Sequence, residues 1–163
     1  MDKLMLFIDG SVNPQSNIGY GAYLAVSERG PRVDSLKTRV KVRRFEPTSS
    51  TKLELQTLLW ALGEIQAMGR KVTVYTDSQN ILGLPARRDG FEKNDFRTKK
   101  NNRRKHDELY RAFFSVIDQL DCELVKMRGH QVSKQKNDLD RLFTLVDRAS
   151  RKALREEGEQ RDH

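Results

Sequence analysis

Apolar residues fall first in a continuous run, Leu4 to Ile8, and again from Gly19 to Val26, after a turn-rich gap holding Asn13 and Pro14. Unbroken apolar runs are expected of central strands covered on both faces, and two runs joined by a turn predict an antiparallel pair. Thr38 to Phe45 alternates Val40 and Val42 with basic residues, so this third strand has one wet face and suits the edge side of a sheet. Polar Thr48-Ser49-Ser50-Thr51 then precedes Leu58, Ala61, Leu62 and Ile65 at helical spacing, which predicts a helix ending near Gly69. Val72 to Tyr75 reads as a strand, Leu109 to Leu120 as a helix, and Glu123 to Met127 as an alternating strand. Leu139 to Leu154 reads as a last helix, striped by Leu142, Val146, Ala149 and Ala153. Three strands, then helix, strand, helix, strand, helix: this order predicts an α/β domain with a five-stranded mixed sheet flanked by helices. Its first three strands are antiparallel and the last two parallel.

A chain of 163 residues is long enough for one domain with its own core. That domain is expected over residues 1–155, with 156–163 as a charged C-terminal tail. Charged residues make up 33% of the chain and the formal net charge is +8, which favours a polyanionic partner. Cys122 is the only cysteine, so no intrachain disulfide or cysteine-based zinc site can form, and a reducing compartment fits. Asp2 and Lys3 precede an apolar run too brief for a signal-peptide core and far below the ~20 residues of a membrane span. A soluble, cytoplasmic protein without a membrane partner is the expectation. The densest charge lies between Arg87 and Lys105, where Arg87, Arg88, Lys93, Arg97, Lys99, Lys100, Arg103, Arg104 and Lys105 crowd together. Such a stretch is either a solvated loop or an arm that tracks phosphates by displacing their counterions.

Four acidic residues alter this picture. Asp9 ends the run Leu6-Phe7-Ile8 and is followed by Gly10 and Ser11, a carboxylate at the mouth of a central strand that would also suit a simple turn. Glu54 shares a helix face with Leu58, Ala61 and Ile65, although Thr51-Lys52-Leu53-Glu54 equally matches an S/T-x-x-E capping box. Asp77 closes a parallel strand, where ligands gather in open α/β sheets, and Asp or Ser there also suits a helix cap. Asp147 borders the buried stripe of the last helix or belongs to its solvated face. Jointly, four carboxylates from two strand ends and two helices can meet at one sheet edge, where repulsion is costly unless a divalent cation offsets it. Hard oxygen ligands suit Mg²⁺ or Mn²⁺, and two such ions roughly 4 Å apart would activate a water and stabilise the leaving oxygen of a phosphodiester.

The ordered set of motifs resembles the type 1 ribonucleases H over about Leu4 to Ala153. Phe7-Ile8-Asp9-Gly10-Ser11 is similar to the family's opening strand, and Asn13-Pro14 with Gly19-Tyr20-Gly21-Ala22 to its turn and second strand. Thr48 to Leu55 resembles the segment bearing the second acid, and Tyr75-Thr76-Asp77-Ser78-Gln79 the third. Gly129-His130, Asn137 and Val146-Asp147-Arg148-Ala149 resemble the histidine loop and fourth acid. The resemblance implies a ribonuclease H-like fold and a metal-dependent endonuclease. It would hydrolyse the RNA strand of RNA–DNA hybrids to 5′-phosphate products and act as a monomer. Asp9, Glu54, Asp77 and Asp147 would hold two Mg²⁺ ions, with Mn²⁺ as a substitute, and His130 would assist proton transfer or product release. Asn13, Ser50, Thr51 and Gln79 occupy positions that read the ribose 2′-OH. Arg97, Lys99, Lys100, Arg103 and Arg104 would bind substrate. Ser50 and Thr51 stand where the family often has Asn or Gln, and the basic stretch lacks the family's tryptophans, offering only Phe91 and Phe96. The alternative is a nucleic-acid-binding protein of the same fold with weak or lost nuclease activity.

Overall fold

The computed structural model describes residues 3–27, 39–65, 67, 69–100, 102, 105–127 and 138–161. Five strands form one sheet in the order β3-β2-β1-β4-β5. β1 (Leu4–Asn13), β2 (Ile18–Ser27) and β3 (Lys41–Phe45) pair antiparallel, and β4 (Val72–Thr76) and β5 (Cys122–Lys126) continue in parallel from β1. The mixed sheet is the one expected from the sequence. β3 is an edge strand, as expected, but Lys41 to Arg44 are all exposed, Val42 included, so along this strand both faces are wet and not one.

β1 lies at the centre because its side chains are apolar on both faces. Leu4, Leu6 and Ile8 join one core, with Val72 and Val74 of β4, beneath helices α1 (Ser50–Glu64), α2 (Gln79–Lys93) and α3 (Asp107–Gln119). Phe7 joins a second core with Leu142, Phe143 and Val146 of α4 (Asp138–Arg161) on the opposite face. The period-two alternation of a strand therefore assigns each β1 side chain to one helical layer or the other.

Two helical expectations need correction. The sequence pattern gave a single helix between β4 and β5, whereas α2 and α3 both lie there. Gly83, Pro85 and Gly90 lie inside α2, which buries only Ile81, Leu84 and Phe91, too few to reveal its period. Arg87, Arg88 and Lys93 thus ride on a helix and not on a loop. Charged residues beyond 155 are also helical as far as Arg161: Glu157 accepts from Tyr20 at 3.1 Å and pairs with Arg44, holding the end of α4 over β2 and β3.

The approach of α1 to the sheet depends on missing side chains. Gly10 of β1 pairs with Gly21 of β2, and Gly19 lies nearby. A Cβ at Gly10 or Gly19 would fall 2.9 Å from Leu53 Cδ2, and one at Gly21 would fall 2.1 Å from Thr57 Oγ1. These three glycines form the floor on which the first two turns of α1 rest, and those turns carry Glu54.

Candidate active site

Asp9 projects to the same side of β1 as Met5 and Phe7, the side covered by α4, and its carboxyl is hydrogen-bonded to that of Asp147. Asp9 is held far above the ordinary carboxylate range, mainly by burial, then by this hydrogen bond and the charge of Asp77. Extending the parallel register Phe7↔Tyr75 by two residues sets Asp77 opposite Asp9. Glu54 approaches from α1. Burial raises its pKa, Ser78 opposes by donating a hydrogen bond from Oγ at 2.6 Å, and Asp77 raises it further. Asp9, Glu54 and Asp77 line one cavity of about 40 Å³ with Gly10, Ser50 and Thr76. That is room for ions and waters, against the roughly 300 Å³ or more of an organic-ligand pocket.

Asp147 is fixed by its own helix. Its backbone carbonyl accepts from Ser150 Oγ at 3.0 Å, and Ser150, fully buried, lies 3.0 Å from Ser11 Oγ on β1. Asp147 Oδ1 also accepts from Arg151 Nε at 2.9 Å. Among the described residues, no three His, Cys, Asp or Glu side chains close tightly enough on one point to chelate an ion as they stand. The donor set nevertheless fits a hard divalent cation: its candidate ligands are all carboxylates, and a positive group, the Arg151 guanidinium, already pairs with one of them.

The structural alternatives weighed for Glu54 and Asp77 do not hold. Ser49, not Thr51, caps α1, accepting from the Lys52 amide at 3.3 Å, so Glu54 lies too far along the helix to close a capping box. Ser78, not Asp77, caps α2 by accepting from the Ile81 amide at 3.1 Å. Neither acid is the N-cap of its helix. Ser78 serves two helices at once, since the same hydroxyl that caps α2 donates to Glu54. Its role was hidden in the sequence because its partner lies 24 positions away.

The proposed substrate residues are spread around this cavity. Ser50 lines it and also lines a neighbouring groove of about 430 Å³ with Thr51, Arg87, Lys105 and His106. His106, which the sequence reading passed over, has its pKa lowered by burial and by the charges of Lys105 and Lys52. Gln79 is exposed at the first turn of α2, and Asn13 is exposed at the end of β1, where its Oδ1 accepts from the Gln15 amide at 2.9 Å. Arg97, Lys99 and Lys100 are exposed and outside the acid cavity. His130, Arg103 and Arg104 lie outside the described residues.

Phenylalanines anchor the basic segment in place of tryptophans. Phe91 stacks with Phe96 and Tyr110 at 5.7 and 4.9 Å between ring centroids, and Arg111 lies 4.2 Å over Phe96. Arg88 holds Asp118 through two hydrogen bonds of 2.5 and 2.6 Å and Glu92 at 2.8 Å, so it braces α2 against α3.

A family model described as RNase H matches residues 1–152. A ribonuclease H of Novosphingobium aromaticivorans is 26% identical over 145 residues, which span 87% of this chain and 94% of the relative. One of Syntrophomonas wolfei is 22% identical over 146 residues, spanning 87% and 94%. The solved structure of a foamy viral protease-reverse transcriptase in complex with dsDNA shares the fold, with a TM-score of 0.63, 12% identity, and coverage of 91% of this chain and 93% of that one. With a family match over nearly its whole length and the expected mixed sheet in place, the chain belongs to the RNase H family and is a ribonuclease H-type nuclease with a nucleic-acid substrate.

Proposed function

We propose that this enzyme hydrolyses the RNA strand of RNA–DNA hybrids in a Mg²⁺-dependent reaction, with Asp9, Glu54, Asp77 and Asp147 holding two ions. The supporting observation is that three of these acids line one cavity while the fourth hydrogen-bonds to Asp9. Bound there, divalent cations would activate the attacking water and offset charge on the leaving oxygen, yielding 5′-phosphate ends. Ser78 keeps one oxygen of Glu54 turned inward. Ser50, Thr51, Asn13 and Gln79 present short polar groups to the ribose, where a 2′-OH distinguishes RNA from DNA. His130 carries a proton or speeds product release. The enzyme works as a cytoplasmic monomer.

Hybrid, duplex DNA and single-stranded RNA, each with and without Mg²⁺, test this reading: cleavage confined to hybrid with Mg²⁺ is expected. Hybrid binding without cleavage would establish a binding protein that has lost turnover, and cleavage of duplex DNA would remove the RNA specificity.

The basic segment gives a separate prediction. Lys99 and Lys100 are exposed beside the Phe91–Phe96 anchor, with Arg97 on the same segment, well placed to meet backbone phosphates but away from the reacting centre. Replacing Arg97, Lys99, Lys100, Arg103 and Arg104 with Ala should raise KM more than it lowers kcat. The slope of log affinity against log salt should shrink by up to roughly 0.9 per lost phosphate contact. An unchanged salt dependence would make the segment a solvated loop.

A further inference from the structure

Arg151 is a basic residue in contact with the acid cluster, at Asp147. It stands one helical turn beyond Asp147 on α4 and donates from Nε to Asp147 Oδ1 at 2.9 Å. Its side chain is 56% exposed while that of Asp147 is 22% exposed, so the guanidinium sits on the solvent side of the carboxylate. Because the pair is spaced i, i+4 with the acid first, α4 itself brings the partners together and no loop must be ordered.

We propose that Arg151 is the resident counter-ion of Asp147, which a divalent cation must displace, and that it thereby sets the metal concentration at which the site fills. This inference rests on the proposed metal-holding role of Asp147. The lone pair of Asp147 Oδ1 that accepts from Arg151 is closed to a metal ion until that bond breaks, and the positive guanidinium repels an incoming cation as well. Both effects weaken metal binding, so removing Arg151 should strengthen it. The groove of about 920 Å³ that Arg151 lines with Arg148, Lys152 and Arg155 leaves open room for the released side chain.

Lys152 supplies the control. It lies on the same groove and carries the same charge, but its ion-pair partner is Glu156 at 4.0 Å, away from the acid cluster. Arg151→Ala and Lys152→Ala change net charge equally, and only the first breaks a contact with Asp147. Exposed or half-exposed pairs of this kind contribute up to about 1 kcal/mol, which converts to roughly a two- to fivefold change in a dissociation constant.

Mn²⁺ binding to the full chain, followed through the paramagnetic resonance of free Mn²⁺, should be two- to fivefold tighter in Arg151→Ala than in wild type. Lys152→Ala should change it by clearly less. The rise in melting temperature on adding saturating Mn²⁺ should also be larger in Arg151→Ala, since the metal-free form has lost a partner for Asp147. Equal affinities in wild type and Arg151→Ala, or equal tightening in both variants, would overturn the proposal, the latter by reducing it to long-range charge. Asp9→Asn tells the two readings apart. If it binds Mn²⁺ as wild type does, the metal-holding role of the cluster fails and this inference with it. If it loses the metal while Arg151→Ala matches wild type, only the counter-ion role fails.

Discussion

Asp9→Asn is expected to reduce cleavage by roughly 10³-fold or more and, at the same time, to raise the melting temperature of the metal-free protein. The loss follows from the place of Asp9 in the cavity with Glu54 and Asp77, because removing one proposed ligand of an activating cation would forfeit several kcal/mol at the transition state. The gain follows from the same burial. A carboxyl whose native pKa is raised lowers stability wherever the unfolded chain holds it ionised. Its cost is absent below the ordinary aspartate value of about 3.9, grows as pH rises towards the native value, and is complete above it. Each tenfold change in proton affinity is worth about 1.4 kcal/mol, and 1 kcal/mol moves the melting temperature of a domain this size by about 2–4 °C. A rise of about 5 °C or more at pH 8, fading to nothing near pH 4, is therefore expected for the Asn variant. Thermal melts across that range and a hybrid-cleavage assay decide the matter. Wild-type turnover would remove Asp9 from the site, and an unraised melting temperature at pH 8 would show that its burial is not a burden.

The parts of this architecture that local patterns encode were legible in the sequence. Leu4 to Ile8 announces a central strand because both its faces are buried, and Asp9 at its end stands out against that run. Contacts that span the fold were not legible. Thr51 and Ser49 are equally good caps on paper, and the choice falls to Ser49 because α1 must present Leu53, Leu55, Leu58 and Leu62 to the sheet. Arg88 reads as one more charge in a basic stretch until α3 brings Asp118 to it from 30 positions away. The paired hydroxyls of Ser11 and Ser150 are 139 positions apart, and no spacing rule foresees them. The helix α2 escaped notice for a different reason, since Pro85 and its glycines erase the period by which helices are recognised.

Gly21→Ala tests the link between the glycine floor and the site. The new Cβ would lie 2.1 Å from Thr57 Oγ1 and 3.0 Å from both Thr57 Cβ and Cγ2. Thr57 is buried and donates its hydroxyl to the Leu53 carbonyl at 2.7 Å. Turning the threonine gives little relief, because it breaks that hydrogen bond and leaves Thr57 Cβ 3.0 Å from the new methyl, and a β-branched residue in a helix has few rotamers to choose from. The helix must then lift from β2. Overpacking of this kind costs about 1–3 kcal/mol, or a melting temperature lower by roughly 2–12 °C. Glu54 sits one turn before Thr57 on the same helix, so lifting α1 should also draw that carboxylate from the cavity and lower kcat at temperatures where the variant is fully folded. Thr57→Ala on top of Gly21→Ala removes the two outer atoms of the clash and should restore part of both losses, a non-additive result that mere loss of a hydrogen bond would not give. If Gly21→Ala is as stable as wild type, or if the second substitution only worsens it, the close approach of α1 is not what positions Glu54.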